Sequence, residues 1–199
     1  MVLQLIPQRP SRTVPAGELR LAVSWCRNGG VGLSGRIKKL RGMNLDLVVT
    51  AYRQEGAVIG MFAPLGLGGV ASDWVWIAHD EKRGGRTLWD ESAVVDLSLA
   101  PSVVSKLSVA VVAHKPGTSF DGIPKARLDV YGPNDSEVLV QSEVPLDTSE
   151  EGFPGNVNVA VLLDLERGKS GWTALRDARW GYSRPGDLDN LRTMMELLA

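Results

Sequence analysis

Two stretches of this chain concentrate oxygen-donating side chains. The segment from His79 to Glu91 carries Asp80 and Glu81 near its start, Asp90 and Glu91 at its end, and Gly84 and Gly85 between them. Asn44 and Asp46 stand earlier, at the head of an apolar run that ends at Tyr52. A glycine-broken acidic loop can fold several oxygens around a hard divalent cation. Calcium takes about six to eight of them from carboxylates, carbonyls and water. The same loop carries Lys82, Arg83 and Arg86, which oppose a cation. At about 6 Å and an effective dielectric of about 20, one like-charge pair costs roughly 3 kcal/mol before solvent and salt weaken it. These cations can instead neutralise Asp80, Glu81 and Asp90, which would make the loop a charge-paired surface turn.

Other chemistries find less support. His79 and His114 with a neighbouring acid would suit catalytic zinc, but no His-Glu-x-x-His spacing occurs. Serines are plentiful, yet there is no Gly-x-Ser-x-Gly elbow. Gly29, Gly30, Gly32 and Gly35 lie together, but no helix start and no Gly-Lys-Ser/Thr follows, as a phosphate loop requires. Arg36, Lys38, Lys39 and Arg41 form a local basic patch that reads as a solvated loop. Overall, 22 basic residues face 23 acidic ones, a net charge of -1. That balance argues against a surface for nucleic acid or an anionic membrane, which needs a basic excess. Cys26 is the single cysteine, which rules out an intramolecular disulfide and a thiolate cluster and suits a reducing compartment. The N-terminal apolar stretch is short and cut by Pro7, so it does not read as a secretory signal. No apolar run approaches the roughly 20 residues of a membrane helix. The expected address is the cytoplasm, and no enzymatic activity is expected.

The elements that must position these acids are strands. Leu19, Leu21, Val23 and Trp25 alternate with smaller or polar residues, the period of a half-buried strand. Further strands are predicted over 45–52, 58–62, 74–77, 94–97, 103–113, 126–131, 138–141, 156–165 and 171–175. Gly56 marks a hairpin, and residues 132–135 a turn. The 103–113 run is rich in β-branched residues and reads as a central strand. Trp74 and Trp76 are expected to share a face. Residues 187–198 form the one predicted helix, with Asp187 as N-cap and Leu188, Leu191, Met194 or Met195, and Leu198 on its apolar side. The pattern predicts an all-β fold, an antiparallel β-sandwich with a short C-terminal helix. Residues 1–17, with Pro7, Pro10 and Pro15, read as an extended arm, and residues 18–199 as one sandwich domain.

Three segments together resemble the TerD family of tellurium-resistance and stress-response proteins. Leu45-Asp46-Leu47-Val48-Val49-Thr50-Ala51-Tyr52 is similar to the family's strand of alternating aspartates. The His79–Glu91 loop, running into Val95-Asp96-Leu97-Ser98, resembles its aspartate- and glycine-rich loop. Pro101 to Leu107, Phe120-Asp121-Gly122 and Ala126 to Tyr131 resemble its later strands, and Gly171-Trp172 its glycine-tryptophan pair. The resemblance runs from about Leu19 to Gly186. It implies a calcium-binding β-sandwich without enzymatic activity. Its ligands would come from Asn44, Asp46, Asp80, Glu81, Asp90 and Glu91, and its partners from other TerD-like or stress-response proteins or a second copy of the chain. Val48 stands where the family has a second strand aspartate, and the loop is about two residues short. The alternative reading is a metal-free protein–protein interaction module of the same fold.

Overall fold

A computed structural model describes residues 3–4, 11–25, 45–64, 72–80, 90–113, 120, 123, 125–135, 137–146 and 157–199. Its strands are β1 (Leu3–Gln4), β2 (Ser11–Val14), β3 (Glu18–Trp25), β4 (Asp46–Tyr52), β5 (Val58–Phe62), β6 (Val75–Asp80), β7 (Glu91–Asp96), β8 (Lys106–Val112), β9 (Lys125–Tyr131), β10 (Val138–Pro145), β11 (Val159–Gly168), β12 (Gly171–Leu175) and β13 (Arg179–Gly181). One helix, α1 (Leu188–Leu197), follows them.

The strands form two antiparallel sheets. One runs β1-β13-β11-β8-β4-β5, with β12 also pairing β11, and β2 pairing β12. The other runs β10-β9-β3-β7-β6. Period-two alternation sends one face of each sheet into a shared core. Leu47, Val49, Leu107, Val109, Val111 and Leu162 come from the first sheet, and Leu19, Leu21, Val23, Val95, Leu128 and Val130 from the second. Cross-sheet polar links fix the layers. Ser142 Oγ on β10 donates to Leu162 O on β11 at 2.8 Å, and Trp180 Nε1 donates to Pro145 O at 3.1 Å. This is the all-β sandwich with one short C-terminal helix that the sequence pattern predicts.

The centre of the larger sheet, β4 and β8 with the first half of β11, is buried on both faces. Asp187 caps α1 by accepting the Asn190 amide at 2.9 Å. Leu191, Met194, Met195 and Leu198 then lie on the outward side chains Val48, Tyr52, Ala110, Val112, Val159 and Val161. Helix and sheet approach so closely at Gly181 that a Cβ there would collide with Met194. Gly56 turns the β4–β5 hairpin at a φ of +82°, where a side chain would be strained.

Several boundaries differ from the sequence reading. His79 and Asp80 belong to β6 and Glu91 opens β7, because these acids continue a ladder that charge alone would assign to a loop. β8 begins at Lys106 rather than at 103, after the Pro101 turn. β13 was hidden in a short polar stretch. The arm of residues 1–17 contributes β1, which pairs β13, and β2, which pairs β12. Trp74 and Trp76 do not share a face, contrary to the sequence expectation. Trp74 is buried edge-on against Phe62, with ring centroids 5.5 Å apart, whereas Trp76 is exposed on β6. Trp25 and Trp172 are core residues, as expected.

Candidate functional site

β4, β6 and β7 bring acids to one end of the sandwich. Asp46 opens β4, Asp80 closes β6, and Glu91 opens β7 opposite Asp80 in the ladder. Glu91 lies on the inward side with Ala93 and Val95, and its carboxylate crosses to the other sheet. There Glu91 Oε2 accepts the Leu47 amide at 3.3 Å, one residue along from Asp46. That end of β4 lies beyond the β5 ladder, which begins at Val49. Asp90 clamps the neighbouring strand. Its amide donates to Val23 O at 2.9 Å, and its Oδ2 accepts the Trp25 amide at 2.8 Å. Asp46, Asp90 and Glu91 are all buried. An amide donor satisfies a buried carboxylate oxygen that burial would otherwise leave without a partner.

Of the six predicted ligands, the structure therefore brings Asp90 and Glu91 to the segment that carries Asp46. Asp80 is placed by its backbone on β6. Asn44 and Glu81 lie outside the described residues, as do Lys82, Arg83, Arg86, Trp89, His114, Cys26, the glycines of 29–35 and the basic 36–41 patch. Among the described residues, no group of three or more His, Cys, Asp and Glu side chains is arranged to hold a metal. Val48, at the position of the family's second aspartate, is fully buried beneath α1 with Met195 and Leu191. An acid there would have to be desolvated under the helix.

Sequence reasoning missed a second buried charge cluster on the helix-bearing side of the larger sheet. Arg179 on β13 forks onto Asp164 of β11, with Nη2 at 2.8 and 2.7 Å from the two carboxylate oxygens. Its Nη1 reaches Asp177 Oδ2 at 3.2 Å. Ser108 Oγ donates to Asp164 Oδ1 at 2.6 Å. Tyr52 stands beside them and donates to Met195 O at 2.9 Å, and burial pushes its phenol well above the ordinary tyrosine range. The available signal was Asp164 itself, a carboxylate inside the apolar 159–165 run, which demands a buried partner.

No family model and no curated protein matches the sequence. Solved structures do match the fold, that of a TerD-type β-sandwich. One is a homologue of the telluride resistance protein TerD from Streptomyces coelicolor A3(2), 15% identical, with a TM-score of 0.60 over 86% of this chain and 94% of that one. Another is SAV2460, a protein of unknown function, 20% identical, with a TM-score of 0.58 over 85% of this chain and 92% of that one. At these identities the likeness defines architecture, and function has to be argued from side chains. No described helix is long and apolar enough to cross a membrane.

Proposed function

We propose that this chain is a non-enzymatic, TerD-like stress-response protein of the cytoplasm that works by binding through the acidic end of its sandwich. The observation that carries this reading is the hydrogen bond from the Leu47 amide to Glu91, which draws the Asp90–Glu91 pair to the head of β4 beside Asp46. In this reading those three acids, with Asn44, Asp80 and Glu81, hold one calcium ion in a reduced site. Calcium would supply the positive charge that orders the loop, coupling its folding to ligand assembly. The donor chemistry fits a hard cation, while Asp46, Asp90 and Glu91 alone are too few for its usual six to eight oxygens.

A second reading is a metal-free interaction module that meets other TerD-like or stress-response proteins, or a second copy, through the same acidic end. It is favoured by the way Asp90 and Glu91 each receive a backbone amide, a role that holds β3 and β4 in place without a metal. Calorimetry on chelator-stripped protein separates the two. Heat on adding millimolar calcium, a raised melting temperature, and a weaker response in Asp90→Asn support the calcium site. Neither heat nor a melting shift at that concentration removes the metal and leaves the interaction module.

A further inference from the structure

The described methionines are gathered in one place. Met61, Met194 and Met195 all lie in the layer between α1 and the larger sheet, and among the described residues the core between the two sheets holds none. That layer is what keeps α1 folded. The helix has ten residues, too few to be stable alone in water. Tyr52 OH donates to Met195 O at 2.9 Å, and Arg192 Nη2 donates to Val58 O at 2.7 Å. Apolar packing supplies the body of the contact, with Leu191, Met194, Met195 and Leu198 set on the sheet.

Met194 sits where that contact is closest. A Cβ on Gly181 would collide with its Sδ, and would stand 3.0 Å from its Cγ and 3.3 Å from Leu198 Cδ1. The thioether therefore fills the space that a side chain at 181 would need. Met194 also lies at the rim of the layer. It keeps 9% exposure, against 0% for Met195, so a small oxidant meets it first. Oxidation turns a flexible apolar thioether into a polar sulfoxide, whose oxygen needs water or a hydrogen-bond donor.

We propose that Met194 is an oxidation site for peroxides, and that its sulfoxide releases α1 from the sheet. The sulfur lone pair attacks one peroxide oxygen, and an S–O bond forms as the O–O bond breaks. Sulfur is oxidised by two electrons. The second oxygen leaves as hydroxide and takes the proton of the first, giving water. The new oxygen has no room against Gly181 and no donor in the apolar side chain of Leu198, so the sulfoxide turns to solvent and carries the helix away. Undocked, α1 unwinds, and the outward side chains Val48, Ala110, Val112, Val159 and Val161 meet water. Reduction of the sulfoxide lets the helix dock again. This device is independent of the acidic end.

The test treats native protein with hydrogen peroxide and follows each methionine by peptide mass spectrometry, alongside amide hydrogen exchange. Met194 should reach the sulfoxide ahead of Met195. Exchange of the 188–198 amides should rise at least about tenfold as Met194 is oxidised, while β8, laddered on both sides, stays protected. Methionine sulfoxide reductase should then restore slow exchange. Met194→Leu keeps the apolar volume and removes the sulfur. Its helix should stay protected through the same treatment, even as half-buried Met61 is oxidised. A helix still protected when Met194 is fully oxidised would overturn the proposal. So would oxidation of Met195 before Met194, or a peroxide-induced release as large in Met194→Leu as in the wild type. Failure of the reductase to restore protection would mean damage rather than a switch, and would overturn it equally.

Discussion

The sandwich buries carboxylates in two places and satisfies them differently. At the acidic end, Asp90 and Glu91 receive the backbone amides of Trp25 and Leu47. On the helix-bearing side, Asp164 and Asp177 receive the guanidinium of Arg179. An amide adds a dipole, whereas an arginine adds a full charge in a rigid fork. The first arrangement uses acids to tie strands together at the sandwich's end. The second sets one guanidinium between two carboxylates inside the packed face. The first place therefore depends on backbone dipoles from neighbouring strands, and the second on a single side-chain cation.

The contrast can be broken most severely at Arg179. Arg179→Met should cost about 3–5 kcal/mol in urea denaturation, because it leaves two buried carboxylates without their cation. A loss below about 1 kcal/mol would mean that the cluster is solvated rather than closed. Ser108→Ala should cost about 1.5–3 kcal/mol, the range for a hydrogen bond to a charged group. At the acidic end, Glu91→Leu should cost about 1–3 kcal/mol by leaving the Leu47 amide without its acceptor. Adding calcium to that variant should restore no stability. If Glu91→Leu is neutral in the metal-free protein, the amide role assigned to Glu91 is wrong.

Tyr52→Phe is the smallest and sharpens the comparison through pH. Loss of the bond to Met195 O should cost about 1 kcal/mol at neutral pH. The folded phenol's pKa is raised, so the tyrosine's stabilising contribution is fully present below the unfolded value of about 10 and is lost as pH climbs above it. Wild type should therefore lose stability more steeply than Tyr52→Phe above about pH 10, as read by denaturation at stepped pH. Parallel curves would place the Tyr52 hydroxyl in water.

Legibility followed the range of the interactions. The 19–25 alternation, the apolar 45–52 run, the Gly56 turn and the capped 187–198 helix are local patterns, and each stands in the structure. Asp80 and Glu91 were read as loop residues because charge and glycine dominate that stretch, while their strand character depends on a ladder partner. Val48 read as a lost ligand, whereas its neighbours are α1 side chains far along the chain. Asp164 passed unnoticed because one acid barely alters the apolar pattern of its strand.

The sequence by itself determined the two-layer β architecture and the terminal helix, since periodicity and capping are written in neighbouring residues. Only the tertiary structure decided which acids meet. Glu91 lies 44 residues from Leu47, Asp90 lies 65 from Trp25, and Ser108 lies 56 from Asp164. Alternation tells a side chain which face of a strand it occupies. The order of strands in the sheets, set by the packing of the whole core, tells it which charge it will find there.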